Sequence, residues 1–201
     1  MAKRVKAKPK KIKRAAKKAK LISKNAKAVS RKPKVQKLKA IPDAYKAAIP
    51  YLIVNDGVAA IDFYKRAFGA TEVMRFDMPG GKIAHAEMKI GDSLFMLADE
   101  FPEMGAVSPS TVGGTPVSVM VYVNDVDSFF AKAISEGARE ERAVEDKFYG
   151  DRSGNLLDPF GHKWTFSTHK EDVSVEEMKR RMAEMQTQAA DTASPSEPDN
   201  L

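Results

Sequence analysis

Read for the spacing of its apolar residues, the chain carries one pattern twice. Ile49-Pro-Tyr-Leu-Ile-Val54 is a short apolar run, and Asn55 or Asp56 after it can cap a helix by accepting that helix's unpaired backbone N–H groups. Val58, Ile61, Phe63, Tyr64 and Phe68 then fall on one helical stripe, and Gly69 stands where the residue beyond a helix takes a positive φ. Strand-like runs follow at 71–77, 83–90 and 93–98, divided by Pro79-Gly80-Gly81 and by Gly91-Asp92. A stretch rich in Pro, Ser and Gly, 99–114, interrupts the pattern, and then it restarts. Residues 117–123 alternate as a strand, Asn124 or Asp125 caps a helix carrying Phe129, Phe130, Ala133 and Ile134, and Gly137 closes it. Strand signals return near 138–144, 153–157 and 162–167, with Asp158-Pro-Phe-Gly161 as a turn. Val54-Asn-Asp56 and Val123-Asn-Asp125 are 69 residues apart, so the chain predicts a duplicated β-α-β-β-β unit. One such unit alone exposes an apolar sheet face and an edge; two units together, or two chains together, cover it. The fold class is α+β. A last helix over 174–187 opens on the capping box Ser174-Val-Glu-Glu177, and its Met178, Met182 and Met185 are spaced as a packing stripe.

Charge divides the chain differently. Residues 1–40 hold 18 Lys and Arg and no Asp or Glu; the chain totals of 34 and 27 leave 16 basic and 27 acidic residues beyond them. The net +7 is therefore a tail of +18 on a body of −11. So dense a like charge with so little apolar surface predicts disorder for 1–40, and 189–201 reads as a loose acidic tail. Domain boundaries follow: a basic tail 1–40, a folded domain 41–172 with modules of about 48–100 and 115–168, a helix 173–188, and the end segment. The absence of cysteine excludes disulfides, thiolate catalysis and thiolate metal sites. With no apolar run near the ~20 residues a bilayer span needs and no apolar stretch after the first charges, the expected location is cytoplasmic.

Several blocks resemble the glyoxalase/bleomycin-resistance/extradiol-dioxygenase (vicinal oxygen chelate) superfamily, in particular its PhnB-like branch. They are Ile49–Val54, Ala60-Ile-Asp-Phe-Tyr-Lys-Arg-Ala-Phe-Gly-Ala70, His85-Ala-Glu87, Ile90-Gly-Asp-Ser93, Met96-Leu-Ala-Asp-Glu100, Gly113-Gly-Thr-Pro116, Tyr149-Gly-Asp-Arg152 and Leu157-Asp-Pro-Phe-Gly-His-Lys-Trp164. The resemblance covers about 48–172. It implies two βαβββ modules forming a cup-shaped mixed sheet with helices on the convex face, often in a homodimer. In metal-dependent relatives four His, Glu or Gln residues on the first and last strands of each unit hold a cation. Those positions here carry Ile49, Met96, Ser118 and Thr165, none of which suits Zn, Ni or Fe. No cofactor is expected, and a divalent metal would need an unorthodox ligand set.

Period-two alternation assigns the remaining chemistry. Ser118, Met120 and Tyr122 are expected to share the cup face of their strand, as are His85, Glu87 and Lys89 of theirs, and Lys163 and Thr165 of the last. His85 and Glu87 are the candidate catalytic pair, because a carboxylate can orient an imidazole and raise its pKa; an exposed polar sheet face is the plainer reading. Arg152 could fork onto a carboxylate or phosphonate-like group, or merely pair with Asp151 or Asp158. Tyr122, Lys163 and Arg75 are further candidate ligand-binding residues, whereas His162 reads as a turn or packing residue and His169 has no assigned role. Three functions remain open: a small-molecule binder without metal chemistry, a lyase or isomerase using His85 and Glu87, and a dimeric module carrying a basic tail to nucleic acid. The tail lacks aromatic residues, so its contact with DNA would be sequence-independent and would make the protein nucleoid-associated. RNA, an anionic membrane surface and the acidic body are its other possible partners.

Overall fold

Two aspartates turn strands into helices by the same contact. Asp56 Oδ1 accepts from the Ala59 N–H at 2.9 Å, and Asp125 Oδ1 accepts from the Ser128 N–H at 3.2 Å. Each fills a donor that a helix start leaves unpaired. Between these caps and Gly69, which takes φ 63 at the end of the first helix, the chain of the computed structural model falls into its elements. Residues 38–193 are described, and the expectations made for 1–37 and 194–201 lie outside them. The first module is β1 Tyr51–Val54, α1 Gly57–Phe68, β2 Thr71–Asp77, β3 Ile83–Ile90 and β4 Ser93–Asp99. The second is β5 Ser118–Tyr122, α2 Val126–Ser135, β6 Arg139–Asp146, β7 Asp151–Leu157 and β8 Lys163–His169, followed by α3 Val175–Ala193.

Each module makes a four-stranded mixed sheet, ordered β1-β4-β3-β2 and β5-β8-β7-β6. The first and last strands of each module run parallel, and the other neighbours are antiparallel. The repeat extends to the pairing itself: Tyr51 lies opposite Met96, and Met120 lies opposite Thr165, both partners shifted by 69. β1 begins two residues later than the apolar run because Pro50 has no N–H to give the ladder, although its carbonyl still accepts from the Met96 N–H at 2.9 Å. Gly57 opens α1 at a point where a side chain has no room, since a Cβ would stand 2.7 Å from Ile83 Cβ. That crowding comes from Asp99, whose buried carboxylate accepts from both the Gly57 and Ile83 N–H groups, at 2.9 and 2.6 Å.

The modules pair within one chain and share one core. Phe68 of α1 meets Trp164 and Phe166 of β8 at ring-centroid distances of 5.0 and 4.9 Å, and Phe95 of β4 meets Trp164 at 5.6 Å. These edge-to-face contacts add to the burial of the largest side chains in the protein. At the outer end of the helix pair, Arg66 of α1 binds Glu136 at the end of α2. Beneath the rings sits one carboxylate. Asp158, almost fully buried, accepts from Tyr64 Oη at 2.7 Å and from Trp164 Nε1, Phe160 N and His162 N at 2.9 Å each. Burial, and then the neighbouring carboxylate, push the Tyr64 phenol well above its ordinary pKa, so it remains a donor.

The methionine stripe of α3 does not pack as its spacing suggests. The helix starts as expected, with Ser174 Oγ accepting from the Glu177 N–H at 3.2 Å, but Met182 and Met185 are exposed. α3 is tied to the body by Arg181, which reaches Glu171 and the Phe148 carbonyl. Those polar ties hold its early turns, where Met178 is half-buried, while Met182 and Met185 stand exposed among the described residues.

Replacing Asp158 with Asn leaves one acceptor oxygen for four donors and aims an N–H₂ at them. The expected cost is about 3 kcal/mol, with about 1–2 kcal/mol for Tyr64→Phe. Urea denaturation of both variants measures this; a loss below about 0.5 kcal/mol for Asp158→Asn would contradict the assigned role.

Candidate functional site

Both helices sit on the core side of the sheets, so the chemistry open to a ligand lies on the opposite faces. In the first sheet one cross-strand row on that face reads Tyr51, Met96, Glu87 and Met74. Phe76 lies opposite His85 in the next row. Ala86, Met88 and Ile90, the alternate residues of β3, are buried in the core. Here the structure gathers a polar group. Glu87 is only 5% exposed, and both its oxygens accept from Tyr45 Oη, at 2.8 and 2.9 Å. His85 Nε2 stands 3.5 Å from Glu87 Oε1, and Tyr51 Oη bonds His85 Nδ1 at 2.9 Å. A proton on Nε2 facing the carboxylate leaves Nδ1 to accept from Tyr51, a tautomer that satisfies both contacts. The bond to Glu87 raises the Tyr45 phenol pKa, and burial raises that of Tyr51, so both hydroxyls keep their protons at neutral pH. Such a chain can hold a ligand's polar group or pass a proton between Tyr51 and Glu87.

The corresponding face of the second sheet carries Ser118, Met120 and Tyr122 of β5, Lys163 and Thr165 of β8, and Asn155 of β7. Ser118 Oγ bonds Thr165 Oγ1 at 3.0 Å, and Asn155 Nδ2 donates to the same Thr165 oxygen at 2.6 Å. Tyr122 Oη donates to the buried Asp151 at 2.6 Å, and this bond raises its pKa. Asp151 also binds His169, which lies between it and Asp172; hydrogen bonds to these two carboxylates, Asp151 first, raise the imidazole pKa. Lys163 Nζ is 3.6 Å from Glu141. The two faces approach each other where β1 and β5 form sheet edges. Tyr51 and Leu52 line a cavity of about 220 Å³ with Val117, Val119 and Lys163, and Ile49 and Leu94 line a neighbouring one of about 510 Å³ with Met120. His162 Nε2 donates to the Ile53 carbonyl at 2.9 Å, joining the β7–β8 turn to β1.

Not every candidate lies on these faces. Arg152 alternates with Ser153 onto the helix side, where Nε and Nη2 grip Asp127 of α2 at 2.8 and 2.7 Å and Nη1 reaches Asp146 at 3.2 Å. It is ion-paired there, with Asp127 and Asp146 rather than with Asp151 or Asp158. Arg75, opposite core-facing Ala86 on the edge strand, pairs with Glu72 and Asp77 and is also turned away from His85. Tyr45 and Tyr51 carried no assigned role. Tyr51 was accessible to the alternation argument, since it shares the face of Ile49, whereas the segment around Tyr45 has no periodicity to place it.

The four positions to which the family resemblance assigns metal ligands carry Ile49, Met96, Ser118 and Thr165, and the Ser118 and Thr165 hydroxyls are bonded to each other. Among the described residues no three or more His, Asp or Glu side chains are grouped to hold a metal ion. These residues do not fit the family's chelated metal.

The family described as the Glyoxalase/Bleomycin resistance protein/Dioxygenase superfamily matches residues 46–166. Protein Rv0887c of Mycobacterium tuberculosis H37Rv is 40% identical over 140 residues, which is 68% of this chain and 82% of that protein. The crystal structure of TioX from Micromonospora sp. ML1 is similar, with a TM-score of 0.50 and 26% identity over 64% of this chain and 99% of that one. Protein PA1353 from Pseudomonas aeruginosa has the same TM-score, with 22% identity over 62% and 98% of the two chains. A duplicated βαβββ core, its pairing offset and this match converge, and the chain belongs to the glyoxalase/bleomycin resistance protein/dioxygenase superfamily.

Proposed function

We propose that the protein binds a small organic molecule in the cup formed by the helix-free faces of its two sheets, without the family's chelated metal. The observation that carries this reading is the buried Glu87 carboxylate, engaged by Tyr45 and His85 on a face that also presents Tyr51, Phe76, Met74 and Met96. Ligand sites are mostly apolar surfaces with a few fixed polar groups, and Tyr51, Phe76, Met74, Met96 and Met120 supply the apolar part. Ser118, Thr165, Asn155 and Lys163 supply polar groups opposite. A screen of small aromatic and hydroxylated compounds by thermal denaturation should yield stabilising ligands, worth about 2.7 kcal/mol at a hundredfold excess over Kd. Met120→Trp or Met96→Trp, each putting an indole into the cup, should abolish the shift. Undiminished binding by both folded variants would place the ligand elsewhere. Steady turnover of a hit that stops with His85→Asn would instead favour lyase or isomerase chemistry.

A second reading concerns residues 1–40, favoured by a charge of +18 on a segment joined to a body of −11. We propose non-specific nucleic acid as its partner. Lysines that neutralise phosphates release counterions, so affinity for duplex DNA should fall with salt, each contact adding about 0.9 to the slope of log affinity against log salt. Full-length protein should show a steep slope and the protein lacking 1–40 little binding at all; equal affinities across the salt series would dismiss the tail as a nucleic-acid element.

A further inference from the structure

We infer that the molecule taken by the first sheet's half of the cup is an organic cation, a protonated or quaternary amine on an apolar body. This rests on the binding reading above and narrows it. A carboxylate buried to the extent of Glu87 needs its charge answered, because desolvating it costs several kcal/mol. Among the described residues the partner within ion-pair reach is His85, at 3.5 Å, an imidazole that answers the charge only when protonated. The closer donor, Tyr45 Oη, is neutral. Lys89, next along the same strand face, makes no ion pair with it, and Arg75 is paired on the far side of the sheet.

The side chains around the carboxylate have the complementary character. Tyr51 is 49% and Phe76 59% exposed, and both rings lie beside the imidazole, with centroids 5.6 and 6.4 Å from it. Met74 and Met96 flank Glu87 in the cross-strand row. Ring faces attract cations, the more strongly when desolvated, and thioethers add polarizable surface of adaptable shape. An anionic floor walled by π faces suits an ammonium group and repels a carboxylate. A bound cation would take the place of the Tyr45 hydroxyl at Glu87, exchanging a neutral donor for a charged one.

The test uses choline, its uncharged isostere 3,3-dimethylbutan-1-ol, and 3,3-dimethylbutanoate, each titrated into the full-length protein. The Met74 and Met96 methyl signals and the His85 ring signals are followed by NMR. Choline should perturb these residues and bind about tenfold or more tightly than the alcohol. Glu87→Gln should reduce choline to the alcohol's affinity, and Tyr45→Phe, which removes the competing hydroxyl, should bind choline more tightly than the unaltered protein. The Trp164 emission of each variant serves as the check that the core has formed, and Tyr45→Phe, a change at a half-exposed residue, keeps the test decisive if Glu87→Gln does not fold. Equal binding of the alcohol and choline, or preference for the carboxylate, would overturn the cation inference while leaving the cup as a ligand site. No perturbation of these residues by any of the three would overturn both.

Discussion

Asp158 is the constraint on which the remaining geometry depends. Its carboxylate sits in the turn between β7 and β8, yet it accepts from Tyr64 on α1, ninety-four positions earlier, and from Trp164 on β8. One buried charge therefore fixes three things: the turn, through the Phe160 and His162 N–H groups; the seat of the indole; and the docking of the first module's helix on the second module's sheet. Four donors are what make such a burial tolerable, since a carboxylate stripped of water without them would carry a large desolvation cost. The consequence reaches the first sheet. By holding the β7–β8 turn under α1, Asp158 places His162 on the Ile53 carbonyl of the edge strand β1. The pairing of modules within one chain, which the repeat alone left open, follows from this carboxylate and the aromatic core above it.

Much of the fold was legible because local chemistry repeats at a fixed interval. Asp56 and Asp125 cap, Gly69 terminates, and the 69-residue offset recurs as Tyr51–Met96 and Met120–Thr165 pairing. Alternation also separated Ala86, Met88 and Ile90 from His85 and Glu87, and Trp164 and Phe166 from Lys163 and Thr165. It failed where it was not applied through: Arg152 follows Asp151 and precedes Ser153, so its opposite orientation was implied, but its partner Asp127 lies on a helix no periodicity of β7 could identify. The packing expected of the α3 methionines had a different fault. A helical stripe states which residues want cover and is silent on whether the chain provides any.

The candidate site mixes both kinds of information. His85 and Glu87 are two apart on a strand, which the sequence displays. Their environment is built by Tyr45, from a segment without pattern, and by Tyr51, from a strand two places across the sheet. What the carboxylate does depends on those non-local partners. Tyr45 gives it two hydrogen bonds, His85 stands 3.5 Å away, and Met74 and Met96 flank it in the cross-strand row.

The proposed preference of Glu87 for a cation bears on the chemistry open to this member of the family. Where a chelated metal is present, it supplies the positive charge that attracts and polarises an oxygen ligand. Here the corresponding positions are apolar at Ile49 and Met96, and Ser118 and Thr165 are hydroxyls bonded to one another. On the reading proposed above, Glu87 gives the first sheet's face an electrostatic preference opposite to that of a metal-bearing floor. Recognition of oxygen anions by a metal and recognition of an ammonium by Glu87 among rings are opposite solutions on one scaffold. Both would stand on the same duplicated βαβββ scaffold, so the fold alone does not set the class of ligand.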